Sequence, residues 1–64
     1  MRKEDLLLEF NSVVRSYNEQ CKHNGGFEGT RFIDRLVQNA ELLAYLLHRY
    51  CKTEVSFERF PKMA

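Results

Sequence analysis

Tryptophan is absent from this 64-residue sequence, proline occurs once, and all three glycines fall between positions 25 and 29. With the lone proline at position 61, nothing in residues 1–60 removes a backbone donor that long helices need. Only Cys21 and Cys51 are present, too few for a disulfide framework and not a CxxC pair. No charge dominates: ten Lys and Arg against nine Asp and Glu leave +1, which excludes a global pull toward nucleic acid or anionic membrane. No apolar run approaches the roughly 20 residues a membrane span requires. The acidic "MRKEDLLLEF" lacks the form of a signal peptide. These absences point to a soluble cytoplasmic protein with reduced thiols and no membrane contact.

Catalytic signatures are missing as well. There is no GxSxG, no HExxH and no phosphate loop of the GxxxxGK[ST] form. "NGGFEG" follows a helical pattern rather than a strand and has no lysine, so it reads as a flexible turn. Glu9, Glu19, Asp34 and Glu41 fall on polar arcs, where acids serve solubility. No enzyme, cofactor or metal is expected.

What is present is helical period. The glycine-rich "KHNGGFEGT", residues 22–30, divides two amphipathic segments of a single domain, 1–64. In the first, about 3–22, Leu6, Phe10, Val13 and Tyr17 alternate four and three apart. Leu7, Val14 and Cys21 run beside them, and together they fill an arc of about 120°. Glu4 and Asp5 at its start and Lys22 and His23 at its end suit the helix dipole, and Asn24–Gly25 marks a left-handed stop. In the second, about 30–52, Thr30 is the expected N-cap. Its seam is Ile33, Leu36, Ala40, Leu43, Leu47 and Tyr50, and Phe32 and Leu46 widen the apolar arc to about 180°. Leu42 and Tyr45 stray beyond it.

A short loop between two such helices predicts an all-α, antiparallel two-helix hairpin. Phe10 should then lie near Leu43 and Leu6 near Leu47. Helix 1 is too narrow to cover helix 2. One cover is the tail, 53–64, with Val55, Phe57 and Phe60 either in an extended strand or in a single Ser56-capped turn. The other is a second copy, giving a homodimeric four-helix bundle through Leu36, Leu43, Leu46, Leu47 and Tyr50, as a chain this small needs support for its core.

Three constellations remain. Cys21-x-His23 and His48-x-x-Cys51 carry a zinc-type ligand set, but a hairpin holds them about 30 Å apart, so the cysteines read as apolar flankers. Arg15, Lys22, Arg31 and Arg35 near the loop, with Phe27 and Tyr45 for stacking, offer an RNA surface, diluted by Glu19, Glu28 and Asp34. Leu42, Tyr45, Phe57, Phe60 and Phe27 form a set of aromatic and apolar anchors for a larger protein target.

In plan, two amphipathic helices in about 64 residues, the chain resembles the RNA-binding plasmid copy-number regulators that dimerise as four-helix bundles. It is also similar to the small hairpin regulators of kinases and polymerases, without the S-Q-E-L-D motif of the aspartyl-phosphatase hairpins. The expected function is a non-enzymatic regulator or inhibitor acting by protein–protein binding as a homodimer, with RNA binding by the loop-end cations as the alternative.

Overall fold

Lys3–His23 and Arg31–Cys51 form α1 and α2 in a computed structural model that describes residues 2–62. α1 carries Glu4 and Asp5 in its first turn and Lys22 and His23 in its last, acids and bases each at the favourable end of the dipole. It stops where Gly25 and Gly26 take φ of 75° and 86°, and the Gly26 N–H donates to the Cys21 carbonyl at 2.8 Å. Residues with a Cβ adopt that conformation only at a cost. Thr30 caps α2 as expected: its Oγ1 accepts from the Ile33 N–H at 3.1 Å.

The helices pack antiparallel as a hairpin, and their apolar stripes close into two groups. At the loop end Tyr17 and Cys21 meet Ile33, Leu36 and Val37. At the open end Leu6 and Phe10 meet Ala40 and Leu47, with Leu43 beside them. The periodicity had anticipated this pairing.

The cover for α2 comes from the tail. Lys52 ends the helix in the left-handed region, φ 51° and ψ 39°, and the Thr53 N–H donates to the Leu47 carbonyl at 3.0 Å, so the chain turns sharply back. By Pro61 the chain has reached the loop, where its carbonyl accepts from the Glu28 N–H at 2.8 Å. Eight residues thus span what α2 covers in about 16, roughly 24 Å, a reach only extended chain possesses. Thr53, Val55 and Phe57 turn inward while Glu54, Ser56 and Glu58 stay exposed, the period of two of a strand rather than a Ser56-capped turn. Phe57 touches both apolar groups and Phe60 seals the loop-side one.

Several residues expected at interfaces have neighbours within the chain. Phe57 and Phe60, read as anchors for a target, are half-buried in the chain's own core. Leu36 and Leu47, assigned to a dimer contact, are buried against α1. The groove between the helices has two sides, and the strap fills one of them. It runs past Val14, Asn18 and Lys22 of α1 and past Ala44 and His48 of α2.

Candidate functional site

Two features stand out on this frame: a buried polar clamp where the tail meets the loop, and an apolar flank of α2 on the side the tail leaves open.

The clamp is built by the loop. Asn24 Nδ2 donates to the Phe27 carbonyl at 2.9 Å, closing the turn that sends the next side chain, Glu28, into the end of the groove. Glu28 is 1% exposed. Its carboxylate accepts from the Tyr17 hydroxyl and from two nitrogens of Arg59, Nε at 2.5 Å and Nη2 at 2.8 Å. Tyr17 is fully buried, and its hydroxyl in turn accepts from the Phe60 N–H at 2.8 Å. Phe57 and Phe60 stand edge-on to the Tyr17 ring, with centroids 5.4 and 5.9 Å away. Loop, α1 and tail are joined in one network.

Titration behaviour follows from this arrangement. The Arg59 guanidinium, aided by the Tyr17 hydroxyl and opposed by burial, pulls the Glu28 carboxyl down to about 2. Burial first, and then the negative Glu28 it donates to, push the Tyr17 phenol up to about 12. Burial likewise raises the Cys21 thiol, which sits one turn of α1 beyond Tyr17 in the loop-end core, so it is a poor nucleophile. Perturbed groups can mark catalysis. Here the acid, phenol and guanidinium satisfy one another beneath the strap, and the arrangement fastens a segment.

The open flank is different in kind. Glu9 and Val13 of α1 and Asn39, Leu42 and Leu43 of α2 line a trough of about 290 Å³ on the side away from the tail. Phe32, Asn39 and Leu46 lie seven apart along this flank, and so do Leu43 and Tyr50, the spacing of a helix–helix seam. Phe32 is 54% exposed, Leu42 57% and Tyr50 72%. Leu43 and Leu46 are half-buried. Of the residues assigned to a dimer, then, Leu43, Leu46 and Tyr50 lie on the open flank and Leu36 and Leu47 do not. Of the anchors for a target, Leu42 borders that flank. Tyr45 points outward from α2, and Phe27 sits at the loop tip, 38% exposed.

The loop-end cations separate. At about 100° per residue, Arg15 and Lys22 share the outer, tail-side face of α1, and Lys22 lines the cleft beside Phe57–Pro61. Arg31 and Arg35, one turn apart, project from α2 toward the opposite flank, so the four form two pairs and no single patch. Cys21 belongs to the loop-end core and Cys51 to the open-end core, which keeps the two Cys–His pairs apart.

Glu28 and Arg59 were not singled out from sequence. Glu28 reads there as a loop charge among cations. The available signal was Arg59 itself, set with Glu58 between Phe57 and Phe60, where a charge held against packed rings needs a partner. Comparison with protein-family models, curated proteins and solved structures finds no match to this chain.

Proposed function

We propose that this protein is a non-enzymatic regulator that acts by protein–protein binding, working as a homodimer assembled through the open flank of α2. The observation that carries the reading is the seam of Phe32, Leu42, Leu43, Leu46 and Tyr50, which stays uncovered after the tail has taken its place. Exposed apolar residues scattered singly are ordinary, whereas a row at helical spacing beside a trough has the form of a helix-packing surface. Two hairpins joined there make a four-helix bundle, with the straps on its outer faces.

Such a bundle leaves Tyr45 and Phe27 accessible on each copy, and these are the contacts through which it occupies or bridges a larger target. Inhibition by occlusion needs no chemistry, in keeping with a clamp whose titratable groups are spent on one another. An RNA-binding reading gains nothing from the geometry, because the four cations it requires diverge.

Sedimentation equilibrium tests the assembly. The wild-type chain is expected to form a dimer, and the double variant L42E/Y50E, altered at exposed positions only, to be monomeric with unchanged far-UV helicity. A wild-type chain that remains monomeric at high concentration overturns the reading.

A further inference from the structure

The strap is held in its groove by contacts that all lie past its hinge. Its backbone is tied near both ends: the Thr53 N–H donates to the Leu47 carbonyl, and beside the loop the Phe60 N–H donates to the Tyr17 hydroxyl while the Pro61 carbonyl accepts from the Glu28 N–H. Between those ends Val55 and Phe57 hold by packing, and Arg59 by its two bonds to Glu28. None of these contacts depends on which α2 the strap is attached to.

That attachment is a single residue. Among the described residues Lys52 is the only one other than glycine at positive φ, 51°. Without its left-handed turn the chain would run on along the direction of α2. Short hinges under strain are where chains exchange segments.

The groove, in turn, is costly to leave empty. Glu28 is 1% exposed, and without Arg59 its charge would keep only the Tyr17 hydroxyl. Loss of Phe57 would open both apolar groups to water. A tail that leaves has to be replaced by an extended segment with a guanidinium between packed rings. The tail of a second copy has that chemistry and is present at the same concentration.

We propose that two copies of this chain exchange tails, each tail straightening at Lys52 to lie in the other copy's groove with its Arg59 on that copy's Glu28. The topology permits this without rebuilding either hairpin. α2 runs from the loop to the open end, and the strap runs back from the open end to the loop. A straightened tail therefore leaves its own hairpin in the direction in which a second groove, entered at its open end, is filled. Two hairpins set open end to open end, with a two-fold axis near Lys52, satisfy both copies at once. The groove that one tail has vacated lies where the other tail arrives, so the pair closes.

Charge does not oppose the meeting. Arg2, Lys3, Arg49 and Lys52 at the open end are set against Glu4, Asp5 and Glu54, a near balance. Closed and exchanged forms make the same groove contacts. Exchange costs the independent motion of one molecule and relieves two left-handed lysines. Concentration and the hinge residue therefore set the balance between the forms. The groove lies across the hairpin from the open flank, so the exchange does not rest on the dimeric reading above.

The full-length chain carrying L42E/Y50E, which removes the open flank from the measurement, tests the exchange. Adding K52P fixes φ at about −65° and denies the turn. This variant is expected to sediment as a dimer at high concentration, with about twice the 37 Å length of one copy by small-angle scattering, and as a monomer on dilution. Adding E28A as well removes the receiving carboxylate, and dimerisation should weaken at least about tenfold. A folded K52P chain that is monomeric at every concentration overturns the proposal, as does a dimer indifferent to E28A.

The native hinge gives a second readout if K52P does not fold. E28A and R59A, each in the L42E/Y50E background, are mixed, warmed through unfolding and cooled. The heterodimer pairs the intact tail of the first with the intact groove of the second, and it should exceed both homodimers by native mass spectrometry. A mixture that yields only monomers, or dimers in statistical proportion, overturns the proposal equally.

Discussion

Arg59 grips Glu28, 31 positions earlier in the chain, through two hydrogen bonds of 2.5 and 2.8 Å, and so fastens the tail to the loop. Arg59 is half-exposed and Glu28 is buried. Desolvation therefore falls almost wholly on the carboxylate, which is offset only because guanidinium and phenol both donate to it. Removing the acid should cost more than removing a surface pair. Glu28→Ala leaves the Tyr17 hydroxyl without its acceptor and Arg59 without its counter-charge, with an expected loss of about 2–4 kcal/mol, comparable to the whole stability of a domain this small. Glu28→Gln retains the shape and an acceptor oxygen, and should lose about half as much. Urea denaturation followed by far-UV circular dichroism measures both; an E28A chain as stable as wild type would mean that the network does not hold the tail.

Acid should open the same clamp. The Glu28 carboxyl titrates near 2 in the folded chain against an ordinary 4.5, so the folded state holds fewer protons than the unfolded one in between. The stability from this group is therefore complete above about pH 4.5 and is lost as pH falls toward 2. Its upper size is about 3 kcal/mol, reduced because solvent screens the exposed part of Arg59. Thermal unfolding of wild type and E28Q between pH 6 and pH 2 should show a gap that narrows over that interval. A gap constant with pH would place the titration elsewhere.

Much of this fold is legible in the residues, for a physical reason. Helix boundaries follow from local chemistry: Thr30 caps, Gly25 and Gly26 stop, and the three-and-four spacing of Leu6, Phe10, Val13 and Tyr17 names the buried face. The apolar surplus of α2 is equally visible. What covers it depends on contacts between residues far apart in sequence. Val55 and Phe57 fit a strand or a helical turn until the roughly 24 Å between Leu47 and the loop demands extended chain. The pairing of Glu28 with Arg59 has no local signature at all, since each is an ordinary polar residue until the turn at Asn24 sets one beneath the other.

The two sides of the groove should respond oppositely to truncation. Phe57 lies between the two core groups, 6.1 Å from the Phe10 ring and 5.4 Å from the Tyr17 ring by centroid. Phe57→Ala removes a half-buried ring and should destabilise the folded chain by about 2–3 kcal/mol. Leu42 is more than half exposed on the other side, and only the proposed second copy would cover it. Leu42→Ala should change the stability of the monomer by less than about 0.5 kcal/mol and weaken self-association instead. Unfolding at several protein concentrations separates the two effects, because only an interface residue makes the difference depend on concentration. Equal stability losses at all concentrations for both variants would contradict the assignment of the two faces.

The hinge of the strap offers a gain instead of a loss. Lys52 holds φ 51°, where its Cβ crowds the backbone, because the turn there must bring the Thr53 N–H onto the Leu47 carbonyl. Glycine takes that conformation without the crowding. Lys52→Gly should raise stability by about 0.5–1 kcal/mol, a shift of roughly 2–8 °C in Tm for a domain of this size. Lys52→Ala keeps the Cβ and should give no such gain. Lys52→Pro cannot reach positive φ and should free the tail from its groove, lowering stability as far as loss of the Phe57 and Arg59 contacts allows. Differential scanning calorimetry of the three variants orders them. If glycine gave no increase over alanine, the left-handed turn at Lys52 would not be the conformation that starts the strap on its way to Glu28.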